Sequence, residues 1–172
     1  MINPHSQQAI FPGTLLSRAE NLLTICRAAG LTIATAESCT GGLLASLITA
    51  IAGSSDVFER GFVTYSNAAK VESLGVPSGT LERFGAVSAE AAEAMAAGAL
   101  AHSPASIALS ITGVAGPGGG SPAKPIGLVH FGLARRNGRV ITIEKRFGGL
   151  GRHEIRMAAI ATAIEMLLEA AR

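Results

Sequence analysis

The chain has 172 residues, a formal net charge of +2, 15% charged and 48% hydrophobic residues. That length suits one domain able to bury a core without staples, and a composition this apolar excludes disorder over most of the chain. With so little net charge and an aromatic fraction of 4%, there is neither a basic footprint nor a stacking platform for nucleic acid.

Mean hydropathy is +0.40. Yet no stretch of ~18 apolar residues runs free of a charge or a Gly/Pro/Ser/Thr cluster, so no membrane span is expected. Cys26 and Cys39 are isolated, without CxxC or metal-type spacing. Cys26 reads as a small buried hydrophobe. MINPHSQQAIFPG lacks the charged and apolar regions of a secretory signal. A soluble cytoplasmic protein is the expectation.

Residues 1–12 read as a flexible leader, and residues 13–172 as one domain. From Thr14, Leu15, Leu16, Ala19, Leu22, Leu23 and Cys26 recur at helical spacing, and Gly30 stops the helix. Leu31–Ala36 reads as a short strand, Ser38–Ile51 as a helix ended by Gly53, and Gly61–Ser66 as a second strand. A short helix carrying Lys70 follows and stops at Gly75. Residues 77–84 are turn-rich with one helical turn. Ser88 is the N-cap of the next helix, with Glu90 and Glu93 in its first turns. Its small side chains, AAEAMAAGALAH, suit close packing against a neighbour. Ser106–Ile111 is a buried strand, and residues 112–125 form a long Gly/Pro loop. Gly127–Arg135 and Arg139–Phe147 form a hairpin around Asn137-Gly138. Glu154–Ala171 closes the chain as an amphipathic helix. The expected fold is a single-domain three-layer α/β/α sandwich with a mixed sheet that includes this hairpin.

Three segments place polar or glycine residues just beyond a predicted strand end, where open α/β sheets bind ligands. In Glu37-Ser38-Cys39-Thr40-Gly41-Gly42 a hydroxyl sits at a helix N-terminus, near amides that stabilise an anion. Alternatively, Ser38 or Thr40 is an N-cap and the glycines permit close packing. In the second segment, residues 64–70, the only Tyr (Tyr65) and Lys70 flank a strand-to-helix junction. A Lys beside a Ser activates it as a nucleophile once its pKa is lowered. The bland alternative is a buried Tyr and a solvated Lys. The third segment, residues 110–120, is no Walker A loop, because no Gly-Lys-Ser/Thr follows. Its glycines still suit a nest of N–H groups for phosphate or carboxylate. Arg152 and Arg156 offer further phosphate contacts, or else a solvated face or a salt bridge between subunits.

AESCTGG at 36–42, TYSNAAK at 64–70, ITGVAGPGGG at 111–120 and PIGLVHFGLA at 125–134, in this order and spacing, resemble the CinA C-terminal domain family. The likeness spans about residues 14–171. It implies a nicotinamide-nucleotide amidohydrolase, which turns nicotinamide mononucleotide into nicotinate mononucleotide and ammonia in pyridine nucleotide recycling. Some members carry an additional N-terminal domain, and this chain looks like the stand-alone form. On this resemblance Ser38 is the nucleophile, and Lys70, with Tyr65 beside it, handles the proton. Amides at the start of the helix after Ser38, or around Thr112-Gly113, would hold the oxyanion. Thr40, Gly41, Gly42, Thr112, Gly113, Ala115, Gly116 and Arg152 would contact substrate, with the loop and Arg152 on the phosphate. No metal or cofactor is implied, and the four histidines form no ligand cluster.

The family often has an acid immediately before the arginine that opens the last helix. Here that residue is Gly151. The rival reading is a non-catalytic nucleotide- or phosphate-binding module. The low charge and Ala-rich helices further suggest a homo-oligomer.

Overall fold

A computed structural model describes residues 10–136 and 138–172. Residues 1–9 of the expected leader, and Asn137 of the hairpin turn, lie outside the described residues. Phe11 is already buried in the core.

Helix α1 (Gly13–Ala29) ends at Gly30, whose φ of 64° lets its N–H turn back onto the last carbonyls. Strand β1 (Ile33–Glu37) is buried along its whole length. Helix α2 (Leu43–Thr49) leads through one 3-10 turn, Ser54–Asp56, to strand β2 (Phe58–Val63). Helices α3 (Asn67–Leu74), α4 (Ser78–Phe84) and α5 (Ala89–Ala101) then carry the chain across the sheet. Strands β3 (Ile107–Gly113), β4 (Leu128–Arg135) and β5 (Ile141–Arg146) follow, and α6 (Arg152–Ala171) ends the fold. The sheet order is β2-β1-β3-β4-β5. Strand β1 is parallel to β2 and β3, whereas the β3–β4 and β4–β5 pairs are antiparallel.

Alternation along the strands sorts side chains into two cores, one on each face of the sheet. Ile33, Leu109, Phe131 and Leu133 meet α1, α2 and α6. Ala34, Ala36, Ala108 and Ala134 meet α3–α5. These alanines explain the Ala-rich helix, because small residues on both partners let α5 settle deep on the sheet. Ser110 Oγ donates to the Ala92 carbonyl at 2.6 Å. A side chain at Gly132 would run into that same carbonyl.

The three-layer mixed architecture matches expectation, while Ser78–Phe84 is a full helix rather than one turn and two other boundaries differ most. The helix expected from Ser38 begins only at Leu43, because Gly41 (φ 59°) and Gly42 (φ 92°) adopt left-handed backbone that ends any helical run. The second strand is Phe58–Val63 rather than Gly61–Ser66. It starts earlier because Phe58 pairs with Ile33 at the base of β1, leaving Thr64–Ser66 as the lead into α3. There Ser66 Oγ accepts the Ala69 N–H at 3.0 Å.

From β1 the chain crosses one face to β2, then returns over the other face to β3. This reversal opens a crevice beyond the carboxyl ends of the strands. Ser38, Thr64-Tyr65 and Gly113 leave their strands there.

Candidate active site

The segment after β1 is organised by Glu37, a fully buried carboxylate. A buried charge is tolerated only when hydrogen-bonded. Here Glu37 Oε2 accepts the N–H groups of Gly42 and Leu44 at 3.1 Å each, and Oε1 accepts that of Ala45 at 2.9 Å. These are the free donors of the α2 N-terminus, so Glu37 rather than Ser38 or Thr40 caps the helix. The amides expected to hold an oxyanion at the start of α2 are therefore already taken. Gly41 N–H donates to the Ser38 carbonyl at 3.0 Å, and Leu43 N–H to that of Thr40 at 3.3 Å. Among the described residues, the amides of Cys39 and Thr40 have no such acceptor.

Lys70 occupies the second turn of α3, on the same face as Leu74, which points its stem inward. It is 1% exposed, the opposite of a solvated surface lysine. Its Nζ donates to the Thr64 carbonyl at 2.8 Å and to Ser38 Oγ at 3.2 Å. Burial pulls the Lys70 pKa below the usual lysine value, toward a neutral amine. The neighbouring Cys39 opposes this only as a thiolate. Burial pushes the Cys39 thiol up to about 11, so it is neutral near pH 7. Ser38 is half-buried, and its N–H is anchored on the Ile111 carbonyl of β3 at 2.9 Å.

Tyr65 is 62% exposed, so the alternative of a buried tyrosine fails as well. Its hydroxyl accepts from Arg152 Nη2 at 3.0 Å, while Arg152 Nη1 donates to the Gly116 carbonyl at 2.7 Å. Arg152 thus ties the end of β2 to the Gly-rich loop. The amides of Ala115, Gly116, Gly118 and Gly119 have no backbone acceptor among the described residues.

A cavity of about 300 Å³ brings together Ser38, Cys39, Tyr65, Lys70, Thr112, Gly113, Ala115, Gly116 and Arg152. Ala86 and Val87 close one side. Thr40, Gly41 and Gly42 do not line it. Thr112 does, yet its Oγ1 is engaged with the Ala86 carbonyl at 2.6 Å, which pins that wall. A larger cavity of about 820 Å³ adjoins it and shares Ala115, Gly116 and Arg152. Arg156, grouped above with Arg152, lines neither cavity and donates from Nη2 to the Thr40 carbonyl at 2.8 Å. At the position of the missing acid, the Gly151 carbonyl accepts the Ile155 N–H at 2.9 Å as α6 begins.

Glu37 is the residue the sequence-based expectations pass over. The available signal was a carboxylate ending an otherwise apolar buried strand just before a helix, where the free amides are its natural partners. Among the described residues, no three His, Cys, Asp or Glu side chains group as a metal site. Nor is any helix among them long and apolar enough to cross a membrane.

The chain resembles a nicotinamide-nucleotide amidohydrolase of Enterobacter agglomerans, with 51% identity over 142 residues, covering 83% of this chain and 86% of that protein. It is 53% identical over 138 residues to a putative competence-damage inducible protein of Caldicellulosiruptor saccharolyticus, covering 80% of this chain but only 33% of that longer protein. The crystal structure of the competence/damage inducible protein CihA from Agrobacterium tumefaciens superposes with a TM-score of 0.93 at 52% identity, covering 95% of this chain and 99% of that one. The model of the CinA C-terminal domain matches residues 16–171. Strand-end motifs, fold and relatives agree: the chain belongs to the CinA C-terminal domain family.

Proposed function

We propose that the protein hydrolyses the carboxamide of nicotinamide mononucleotide, giving nicotinate mononucleotide and ammonia, with Ser38 as nucleophile and Lys70 as its base. The observation that carries this reading is Lys70 Nζ, buried and 3.2 Å from Ser38 Oγ, inside a cavity. The function named for a relative 51% identical over most of its length supports it. Two anchors fit Lys70 to a shuttle. Its bond to the Thr64 carbonyl holds Nζ in place, and lost hydration favours the neutral amine that takes the serine proton.

Ser38 Oγ then bonds to the amide carbon, and the carbonyl oxygen takes up the electron pair. The Cys39 amide, next to the nucleophile on the cavity wall and without a backbone acceptor among the described residues, receives that oxyanion. As the C–N bond breaks, Lys70 returns the proton to the leaving nitrogen, which departs as ammonia. Water then gives a proton to the same amine and attacks the ester carbon. As the ester C–O bond breaks, Lys70 returns that proton to Ser38 Oγ and the acid leaves. Arg152 and the free amides of residues 115–119 suit the 5′-phosphate. Tyr65, engaged by Arg152 rather than by Ser38 or Lys70, belongs to this substrate-gripping side.

An ammonia-release assay over nicotinamide mononucleotide, its riboside and other amides tests this reading. Wild type is expected to act on the nucleotide, and Ser38→Ala to be folded and nearly inactive. Tight nucleotide binding without turnover would instead favour the non-catalytic module. In the same reading the protein is a cytoplasmic homo-oligomer with one domain over residues 13–172. Exposed Val63, Tyr65 and Leu150 near the site supply apolar surface for self-association. Light scattering that finds a monomer at micromolar concentration would remove the oligomer.

A further inference from the structure

Ser38 stands on a five-residue turn whose shape is fixed from two sides. From the β1 side, Glu37 takes three amides of the α2 N-terminus. From the α6 side, Arg156 reaches back to the turn, and its Nη2 donates to the Thr40 carbonyl at 2.8 Å. The only other donor to that carbonyl among the described residues is the Leu43 N–H, at a weaker 3.3 Å. The Thr40–Gly41 peptide is thereby held at both ends, with its oxygen on Arg156 and its N–H on the Ser38 carbonyl at 3.0 Å. Arg156 also packs over Gly41, where an added Cβ would meet Nη2 at 3.5 Å. Its Nε is buried without a partner. A charged group with one buried N–H unpaired stays in place only where the surroundings hold it there.

Rotation of the Thr40–Gly41 peptide would break the Gly41 N–H bond to the Ser38 carbonyl and release the Ser38–Cys39 peptide, which carries the Cys39 N–H. We infer that Arg156 is a positioning residue for amide hydrolysis. By holding the Thr40 carbonyl it fixes the turn that aims the Cys39 amide at the oxyanion, and it does not touch substrate phosphate. Its absence from the lining of both cavities, against the presence of Arg152 in each, separates the two arginines. This inference rests on the amidase reading proposed above.

The test is steady-state kinetics of wild type, Arg156→Met and Arg156→Lys on nicotinamide mononucleotide and on the riboside that lacks the phosphate. Thermal melts and titration of the active fraction confirm that each variant is folded. Loss of aim at an oxyanion donor costs on the order of 10²-fold in kcat. Arg156→Met is therefore expected to lose about that factor on both substrates, with KM changed less than about threefold. Arg156→Lys, which restores one donor to the carbonyl, is expected to recover a substantial part of kcat. A KM increase confined to the nucleotide would overturn the inference and make Arg156 a phosphate ligand. Unchanged kcat in folded Arg156→Met, or equal losses in the Met and Lys variants, would overturn it while leaving the amidase reading intact. Absence of turnover by wild type would overturn both.

Discussion

From Gly41 to Ala45 every backbone amide has an acceptor, whereas those of Ala115, Gly116, Gly118 and Gly119 have no backbone acceptor among the described residues. Both regions are glycine turns at the end of a central strand, and both face the same crevice. The amides of the first are saturated by a buried carboxylate and by the Ser38 and Thr40 carbonyls, and Arg156 donates to the latter. The second is tied down chiefly through Arg152 on the Gly116 carbonyl, with its donors left open. Glycine therefore serves two ends in one site. After β1 it allows left-handed backbone that shapes the turn carrying Ser38, the proposed nucleophile, and after β3 it exposes amides that an anion can occupy. A bond-making group needs its position fixed before substrate arrives. A phosphate grip gains by keeping unspent donors.

The largest effect that would break this contrast lies at the saturated turn. Lys70→Met is isosteric enough to keep α3 packed, and among the described residues it removes the only side chain bonded to Ser38 Oγ. A loss of about 10³-fold or more in kcat is expected, with KM for the nucleotide little changed. The pH profile gives the sign. In the proposed mechanism Lys70 works as the neutral amine, and burial lowers its pKa from 10.5. Activity should thus rise with pH and level off before an ordinary lysine titrates. A rate independent of pH from 5 to 9 would place the base elsewhere.

Next in size is the carboxylate beneath the turn. Glu37→Ala strips the acceptor from three amides, one fully buried and two partly so. The expected cost is about 3 kcal/mol of stability. For a domain of this length that lowers Tm by roughly 6–12 °C. Glu37→Gln keeps one acceptor oxygen and should lie between. A melt of Glu37→Ala matching wild type would mean the cap is not what orders the turn.

Much of this arrangement was legible in the residue pattern, for reasons that also mark its limits. The layers and the mixed sheet with its hairpin follow from hydrophobic period and turn residues, and Gly30 and Gly75 end helices, as Ser88 starts one, where their chemistry requires. The motif residues Ser38, Lys70, Gly113 and Arg152 do converge on one cavity. Local pattern failed where a long-range partner decided the outcome. Propensity extended α2 back to Ser38, because the carboxylate ending β1 was not read as the partner of the helix amides, with Gly41 and Gly42 left-handed between them. Exposure of Tyr65 and burial of Lys70 came out opposite to the bland expectation. Side-chain type predicts average burial, whereas the crevice inverts it. Arg152 and Arg156 sit one turn apart with identical chemistry. Only the fold shows that one reaches the glycine loop and the other the turn that carries Ser38.

The smallest effect sharpens the contrast most cleanly, because the same substitution is made in both turns. At Gly42 the backbone has φ 92°, and an added Cβ would meet a Val63 methyl at 3.5 Å. The contact is tolerable, so strain decides, and Gly42→Ala should cost about 1–3 kcal/mol with kcat falling as the nucleophile turn shifts. Gly118 has no positive φ and nothing within 4 Å of an added Cβ. There Ala chiefly restricts the unfolded chain, and Gly118→Ala should stabilise by about 0.4–1 kcal/mol. Ala keeps the amide, so any change at residue 118 should appear in the KM for the nucleotide and spare kcat. Paired melts and kinetics of the two variants read both axes at once. Equal destabilisation, or a kcat loss at Gly118 matching that at Gly42, would show that the two turns act as one rigid unit.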